Sequence, residues 1–273
     1  MKFLPATPVA VCALLAATAQ PANALEWSDN SIGLKYGTRW SEPGISEPIQ
    51  KTVYEFVHIS GDKLGTNLVV GQVLAANSKY PAAGGGEGSQ EFFGFYRRTF
   101  SLTKLTGSPV SFGPVKDVSL AARFDRDVVN TDFAPSARKL LAGLSVDFAV
   151  PKGFVLADLY VYSERNYNGY VGKSVKFDTT YRADLRWSLP FEAGVPFTWN
   201  GGIDLTGTKG KDGFGNVTKA ETRLYTEVLA SIGNSGLKAG LAYEWWRNKY
   251  GTDPSLVPGT RHSTPQVVVE YHF

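Results

Sequence analysis

The stretch 175–189, VKFDTTYRADLRWSL, alternates: Val175, Phe177, Thr179, Tyr181, Ala183, Leu185, Trp187 and Leu189 interleave with Lys176, Asp178, Thr180, Arg182, Asp184, Arg186 and Ser188. Successive side chains of a strand point to opposite faces, whereas the apolar stripe of a helix recurs every three to four residues, so the stretch reads as one two-faced strand. It is longer than the roughly 5 to 6 residues usual in soluble sheets and long enough for the about 9 to 11 that cross a bilayer at a tilt. A soluble sandwich would bury the apolar face and wet the other. A membrane barrel turns the apolar face to lipid and the charged face to an aqueous lumen.

The same period predicts about twelve strands. Clear runs are 31–40, 117–126, 138–150, 154–164, 175–189, 197–207, 220–232, 237–248 and 264–273; the runs 52–60, 67–76 and 91–100 have an open register. In 91–100, Arg97 and Arg98 are adjacent, so only one can face a lumen. The connections alternate in kind. Those at 41–51, 77–90, 127–137, 165–174, 208–219 and 249–263 are long and polar or glycine-rich, while 151–153, 190–196 and 233–236 are short, with 101–116 an exception. Short periplasmic turns on one rim and long extracellular loops on the other are the outer-membrane arrangement, so the expected fold is an all-β, transmembrane, antiparallel β-barrel.

The two ends agree with this. Residues 1–24 combine Lys2, an apolar run at Val9–Ala17 and the small-x-small triplet Ala22-Asn23-Ala24, the pattern of a cleaved secretory signal peptide, which leaves 25–273 as a single barrel domain. Cys12, the one cysteine, leaves with it, so no disulfide framework is expected. The final residues place Phe273, Tyr271, Val269 and Val267 on one face. A terminal Phe with an aromatic two residues before it is similar to the C-terminal signal of bacterial outer-membrane barrels, which implies the barrel assembly machinery as a partner of Phe273, beside outer-membrane lipid. Trp40, Trp187, Trp199, Trp245, Tyr271 and Phe273 are candidates for the interfacial girdles.

Charge narrows the function. The 28 Lys and Arg, Lys2 among them, nearly balance 25 Asp and Glu, which leaves no footprint for nucleic acid. Alternation turns Arg123, Asp125, Arg182, Asp184 and Glu227 toward the lumen, with Lys35, Arg39, Lys176, Asp178, Arg223 and others. Both signs occur, so a neutral or zwitterionic solute fits better than a simple ion. Aromatic positions share this face: Tyr160 and Tyr162 beside Asp158, Tyr225 beside Glu227, and Phe93 and Phe95 if Arg97 points inward. Such rings fill space, or they form a platform on which a planar base stacks at about 1 to 3 kcal/mol per base, its hydroxyls bonded to the carboxylates. No cofactor or metal is expected, since no ligand spacing or phosphate-binding loop occurs. An outer-membrane hydrolase would need His262 in the last long loop, near Asp253 and Ser263, and a structural or adhesive barrel would need its lumen plugged by paired charges.

Residues 88–118, above all FSLTKLTG at 100–107 and SFGPVKD at 111–117, resemble the Tsx-like nucleoside-specific channel-forming porins. The resemblance implies a monomeric twelve-stranded barrel that conducts nucleosides passively through a narrow lumen of aromatic and ionisable residues. It also implies exposed loops that can serve as docking points for phage or bacteriocins.

Overall fold

The computed structural model describes residues 25–273, so the signal-peptide segment 1–24 lies outside the described residues. Twelve long strands run up and down around a closed antiparallel barrel: β1 (Leu25–Trp40), β2 (Ile49–Asp62), β3 (Thr66–Ala76), β4 (Gln90–Ser101), β5 (Val115–Val129), β6 (Ser136–Phe148), β7 (Phe154–Asn168), β9 (Thr180–Glu192), β10 (Pro196–Thr206), β11 (Glu221–Ser231), β12 (Leu237–Arg247) and β13 (Arg261–His272). A four-residue strand, β8 (Lys173–Lys176), continues the hairpin partner of β7. Each long strand pairs with its sequence neighbour, and β1 pairs with β13 to close the ring. Closure is what makes strands viable in hydrocarbon, because it leaves no unpaired edge.

The connections 41–48, 77–89, 130–135, 169–179, 207–220 and 248–260 share one rim, here termed the mouth. At the other rim lie 63–65, 102–114, 149–153, 193–195 and 232–236. The segment 102–114 opens with a short helix, α1 (Leu102–Thr106), capped by the Ser101 hydroxyl and ended by Gly107 in the left-handed region, which accounts for the length of that turn.

Outward positions are apolar and open: Leu241 is 67% exposed, Val161 63% and Leu140 62%. Inward positions hold what core the protein has, in small clusters such as Ala121, Leu141, Tyr160 and Tyr162, and Leu229, Ala242 and Val268. Two inward glycines mark close approach of neighbouring strands. A Cβ on Gly143 would sit 1.9 Å from the Leu159 carbonyl oxygen, and one on Gly240 1.9 Å from that of Val228. Around the turn rim the outer face carries aromatic pairs, Trp187 with Trp199 at 5.4 Å and Phe191 stacked on Phe197 at 5.3 Å.

The structure departs from the pattern in several places and settles the register left open in β4. The run 175–189 is not one strand: residues 177–179 interrupt it. Arg165 pairs with Lys176 but Tyr162 with Thr180, so three residues of one strand oppose two of the other, and Asp178 N–H donates to the Lys209 carbonyl at 3.1 Å instead of to β7. One extra residue reverses the faces beyond it. Phe177 therefore turns inward beneath Lys209, while Lys176 and Asp178, read as lumen residues, are exposed. Trp40 is moved by the same device: Thr38 and Arg39 oppose the single Gln50, and the indole faces the mouth, 5% exposed, and not the membrane interface. The part of the expected connection 165–174 up to Asn168 is strand. Finally, the register of β4 turns Arg97 inward and Arg98 outward, where Arg98 pairs with Asp62 at 2.7 Å near the turn rim.

Candidate functional site in the charged lumen

Three groups of ion pairs line the lumen. In the first, Arg97 of β4 reaches over to β7 and grips Asp158 with two bonds, Nε to Oδ2 at 3.0 Å and Nη2 to Oδ1 at 2.7 Å. Tyr160 completes the group, accepting from Arg97 Nε at 3.1 Å and donating to Asp158 at 2.8 Å, and Ser145 accepts from Nη2 at 2.8 Å. The fork of a guanidinium matches a carboxylate bidentately, which makes such pairs shorter and stronger than neutral hydrogen bonds.

The second group is a belt of alternating charge on β5, β9 and β10. Arg123 binds Asp125 at 2.6 and 2.9 Å and touches Asp184 at 3.4 Å, Arg182 binds Asp184 at 2.7 Å and Asp204 at 2.9 Å, and Arg186 closes on Asp204. The Arg123 guanidinium lies 4.0 Å from the centre of the Phe95 ring, a cation–π contact. In the third, Lys35 of β1 bonds Tyr225 at 2.8 Å and Glu55 at 2.9 Å, with Glu227 at 3.7 Å, while Tyr225 donates to Glu227.

These contacts place the candidate residues of the lumen, whereas Arg39, read as a lumen residue, is exposed at the bulge before Trp40. Asp158 joins Tyr160; Arg123, Asp125, Arg182 and Asp184 join Phe95; Tyr225 joins Glu227; and Tyr162 donates to Glu164 at 2.6 Å, which in turn binds Lys209. Phe93 faces inward, half-buried, 6.1 Å from Phe95. The rings do not form one open platform, because Tyr160 and Tyr162 are each only 2% exposed and their hydroxyls are engaged by Asp158 and Glu164. Sequence reasoning left out Arg97, whose register it could not choose, and Glu55 and Gln72, which bond to each other across β2 and β3.

The mouth carries a fourth group that no pattern announced. Glu42, from the connection after β1, is 1% exposed and accepts from Lys51 at 2.6 Å and from Lys249 at 2.8 Å; Lys51 also reaches Glu91 at 2.9 Å. Burial by itself pushes the Glu42 carboxyl up, and the ammoniums of Lys249 and Lys51 outweigh it, leaving the group lowered to about 2. A carboxylate in a loop has no period to betray it.

The chain matches no family model. It is 25% identical over 204 residues to outer membrane protein OmpK of Vibrio parahaemolyticus, an alignment covering 70% of this chain and 72% of that one. Its fold is an outer-membrane β-barrel. Solved structures with a related outline include the translocator domain of autotransporter NalP from Neisseria meningitidis, with 11% identity, a TM-score of 0.43 and coverage of 97% and 94% of the two chains. Acinetobacter baumannii OccAB3 gives 9% identity and a TM-score of 0.36 over 90% and 98%. The barrel lies in the outer membrane, its open apolar belt against lipid.

The hydrolase arrangement does not assemble in this barrel. His262 is not in a loop but on β13, pointing inward and 1% exposed, whereas Ser263 points outward and shares a hydrogen bond with Tyr243 at 2.8 Å. Asp253 is bonded instead to Ser255 and Lys219, whose N–H, hydroxyl and ammonium hold it lower than an ordinary carboxylate. Among the described residues no group of three His, Cys, Asp or Glu could hold a metal ion.

Proposed function

We propose that this barrel is a passive outer-membrane channel for small, uncharged or zwitterionic polar solutes, with nucleosides as the favoured class. The observation that carries the reading is the belt Arg123, Asp125, Asp184, Arg182 and Asp204 with Phe95 beside it. A lining in which each cation is matched by a carboxylate presents little net field to an ion and many donors and acceptors to a neutral solute. Rings next to these groups, Phe93, Phe95, Tyr160, Tyr162 and Tyr225, suit a solute that carries a planar ring, and the similarity of residues 88–118 to Tsx-like porins points to the same class. Binding must be weak, because a solute that conducts has to leave as well as enter.

In this reading the rim with 63–65, 149–153, 193–195 and 232–236 is periplasmic, Phe273 is read by the assembly machinery, and the mouth loops are the face open to phage or bacteriocins. The barrel works as a monomer, with no cofactor and no chemistry. A second reading, a plugged structural barrel, is favoured by the burial of Tyr160 and Tyr162 and by the ion pairs that join strands across the lumen. Single-channel conductance of the refolded chain in a planar bilayer, titrated with adenosine, thymidine and a sugar of similar size, separates the two. A small steady conductance that nucleosides reduce saturably, and the sugar does not, is the expected result. Conductance without nucleoside block would move the substrate elsewhere, and none at all would favour the plug.

A further inference from the structure

The mouth contains a chain of four rings. Tyr250 meets Trp246 edge-on at 5.0 Å, Trp246 is the direct cross-strand partner of His262, and His262 lies 4.9 Å from Trp40. Three of these rings carry buried polar atoms without a hydrogen-bond partner: Nε1 of Trp40, Nε1 of Trp246 and Nε2 of His262. All three are donors. An indole has no other polar atom, and His262 Nδ1 accepts from the Ser41 N–H at 3.1 Å, which leaves the ring proton on Nε2. Glu244 Oε1 stands 3.9 Å from that nitrogen, too far for a hydrogen bond. Most buried N–H groups in folded proteins are paired, so three orphans in adjacent rings call for a partner.

Charge at the mouth says what kind. Lys51 and Lys249 are held by Glu42 and Glu91, and Arg223 by Glu244. The cations are thus matched, the face of Trp246 is covered by Arg223 and Lys249, and that of Trp40 by Lys51. What remains unsatisfied are three N–H groups, which an uncharged molecule bearing carbonyl or hydroxyl acceptors satisfies and a cation does not.

We propose that Trp40, Trp246 and His262 form an entry site for uncharged, acceptor-rich solutes, closed in this conformation by the ring of Tyr250. The site rests on the channel reading and deepens it, since a mouth site serves a solute on its way through. The closing segment is strained in a way that suits a movable cover. Asn248 and Tyr250, with φ of 53° and 59°, both occupy the left-handed region on either side of Lys249, and for a bulky residue such as Tyr this is a true outlier. Backbone held in that region costs free energy that a rearrangement of the 248–251 backbone, carrying Tyr250 away from Trp246, would release.

The test uses the refolded chain labelled with ¹⁵N-tryptophan in micelles, with uracil as the probe and tetramethylammonium, which has no acceptor, as the control. Saturable shifts of the Trp40 and Trp246 indole N–H resonances by uracil alone are expected, assigned through Trp40→Phe and Trp246→Phe. Each of these variants keeps a ring and removes one donor, and should weaken uracil about five-fold, the loss set by a hydrogen bond of about 1 kcal/mol. Tyr250→Gly, which the left-handed backbone accommodates, should tighten it. Indole resonances unmoved by uracil in both wild type and Tyr250→Gly, or equal shifts with tetramethylammonium, would overturn the site. Conductance measured on the same preparations keeps the two ideas apart: a conducting chain with silent indoles loses only the site, and titrating indoles in a non-conducting chain lose only the channel.

Discussion

The pair Arg97–Asp158 offers a sharp check on how the lumen is held. Both groups are nearly buried, with side-chain exposures of 8% and 3%, so solvent screens them little. Asp158→Ala removes two charge-assisted bonds from Arg97 of about 1.5 to 3 kcal/mol each, at 2.7 and 3.0 Å, together with the one from Tyr160, and strands a guanidinium between β4 and β7. Breaking such a pair from one side costs about 3 to 5 kcal/mol. Replacing both partners with apolar residues of similar size, Arg97→Met with Asp158→Leu, removes the stranded charge and should recover about 2 kcal/mol of that loss, the remainder coming from the unpaired Tyr160 hydroxyl. The assay is urea unfolding of the barrel in lipid vesicles, followed by tryptophan fluorescence, on wild type, Arg97→Met, Asp158→Leu and the double variant, with Asp158→Ala beside them. A midpoint that falls in the single variants and partly returns in the double, at constant slope, is the expected pattern. A coupling below about 0.5 kcal/mol would refute the reasoning, because it would mean that water already replaces one partner for the other.

Four further outcomes follow from the same geometry. Leu241→Arg puts a guanidinium on the lipid face in the middle of β12 and should cost about 2 to 4 kcal/mol in the same unfolding assay. Gly143→Ala forces a Cβ to within 1.9 Å of the Leu159 carbonyl oxygen, so β6 and β7 must separate, with an expected loss of about 1 to 3 kcal/mol in unfolding free energy. Glu42 is a group whose folded value is depressed; its contribution is present above the unfolded carboxylate value of about 4.3 and is lost as pH falls through about 2. Limited proteolysis of residues 41–48 should therefore accelerate in acid for the wild type, while Glu42→Gln is cut readily at neutral pH. Finally, Arg98→Ala, which strips Asp62 of its partner at the turn rim but touches no lumen group, should leave conductance unchanged while lowering the unfolding midpoint.

Period and length alone determined most of the barrel. A two-residue repeat sustained over ten or more positions has only one arrangement that satisfies both faces in a bilayer, and it sorts Val161, Leu140 and Leu241 outward and Arg123, Asp184 and Glu227 inward with no knowledge of contacts. What alternation cannot count is an extra residue. The three residues 177–179 and the pair Thr38–Arg39 look regular in the sequence, yet each bulge reverses a face, so Lys176 and Asp178 leave the lumen and Trp40 enters the mouth. Bulges are set by competition for backbone hydrogen bonds from elsewhere, here the Lys209 carbonyl, a residue far along the chain. The partners of the charges lay equally beyond reach. Arg97 and Asp158 belong to β4 and β7, which the curl of the sheet brings within reach, and Lys35 and Tyr225 to β1 and β11, which meet only when β1 pairs with β13 and the sheet closes. A sequence thus settles which side of a strand a charge is on, since that is local geometry, whereas closure decides whether the charge remains open to a solute or is spent on another side chain.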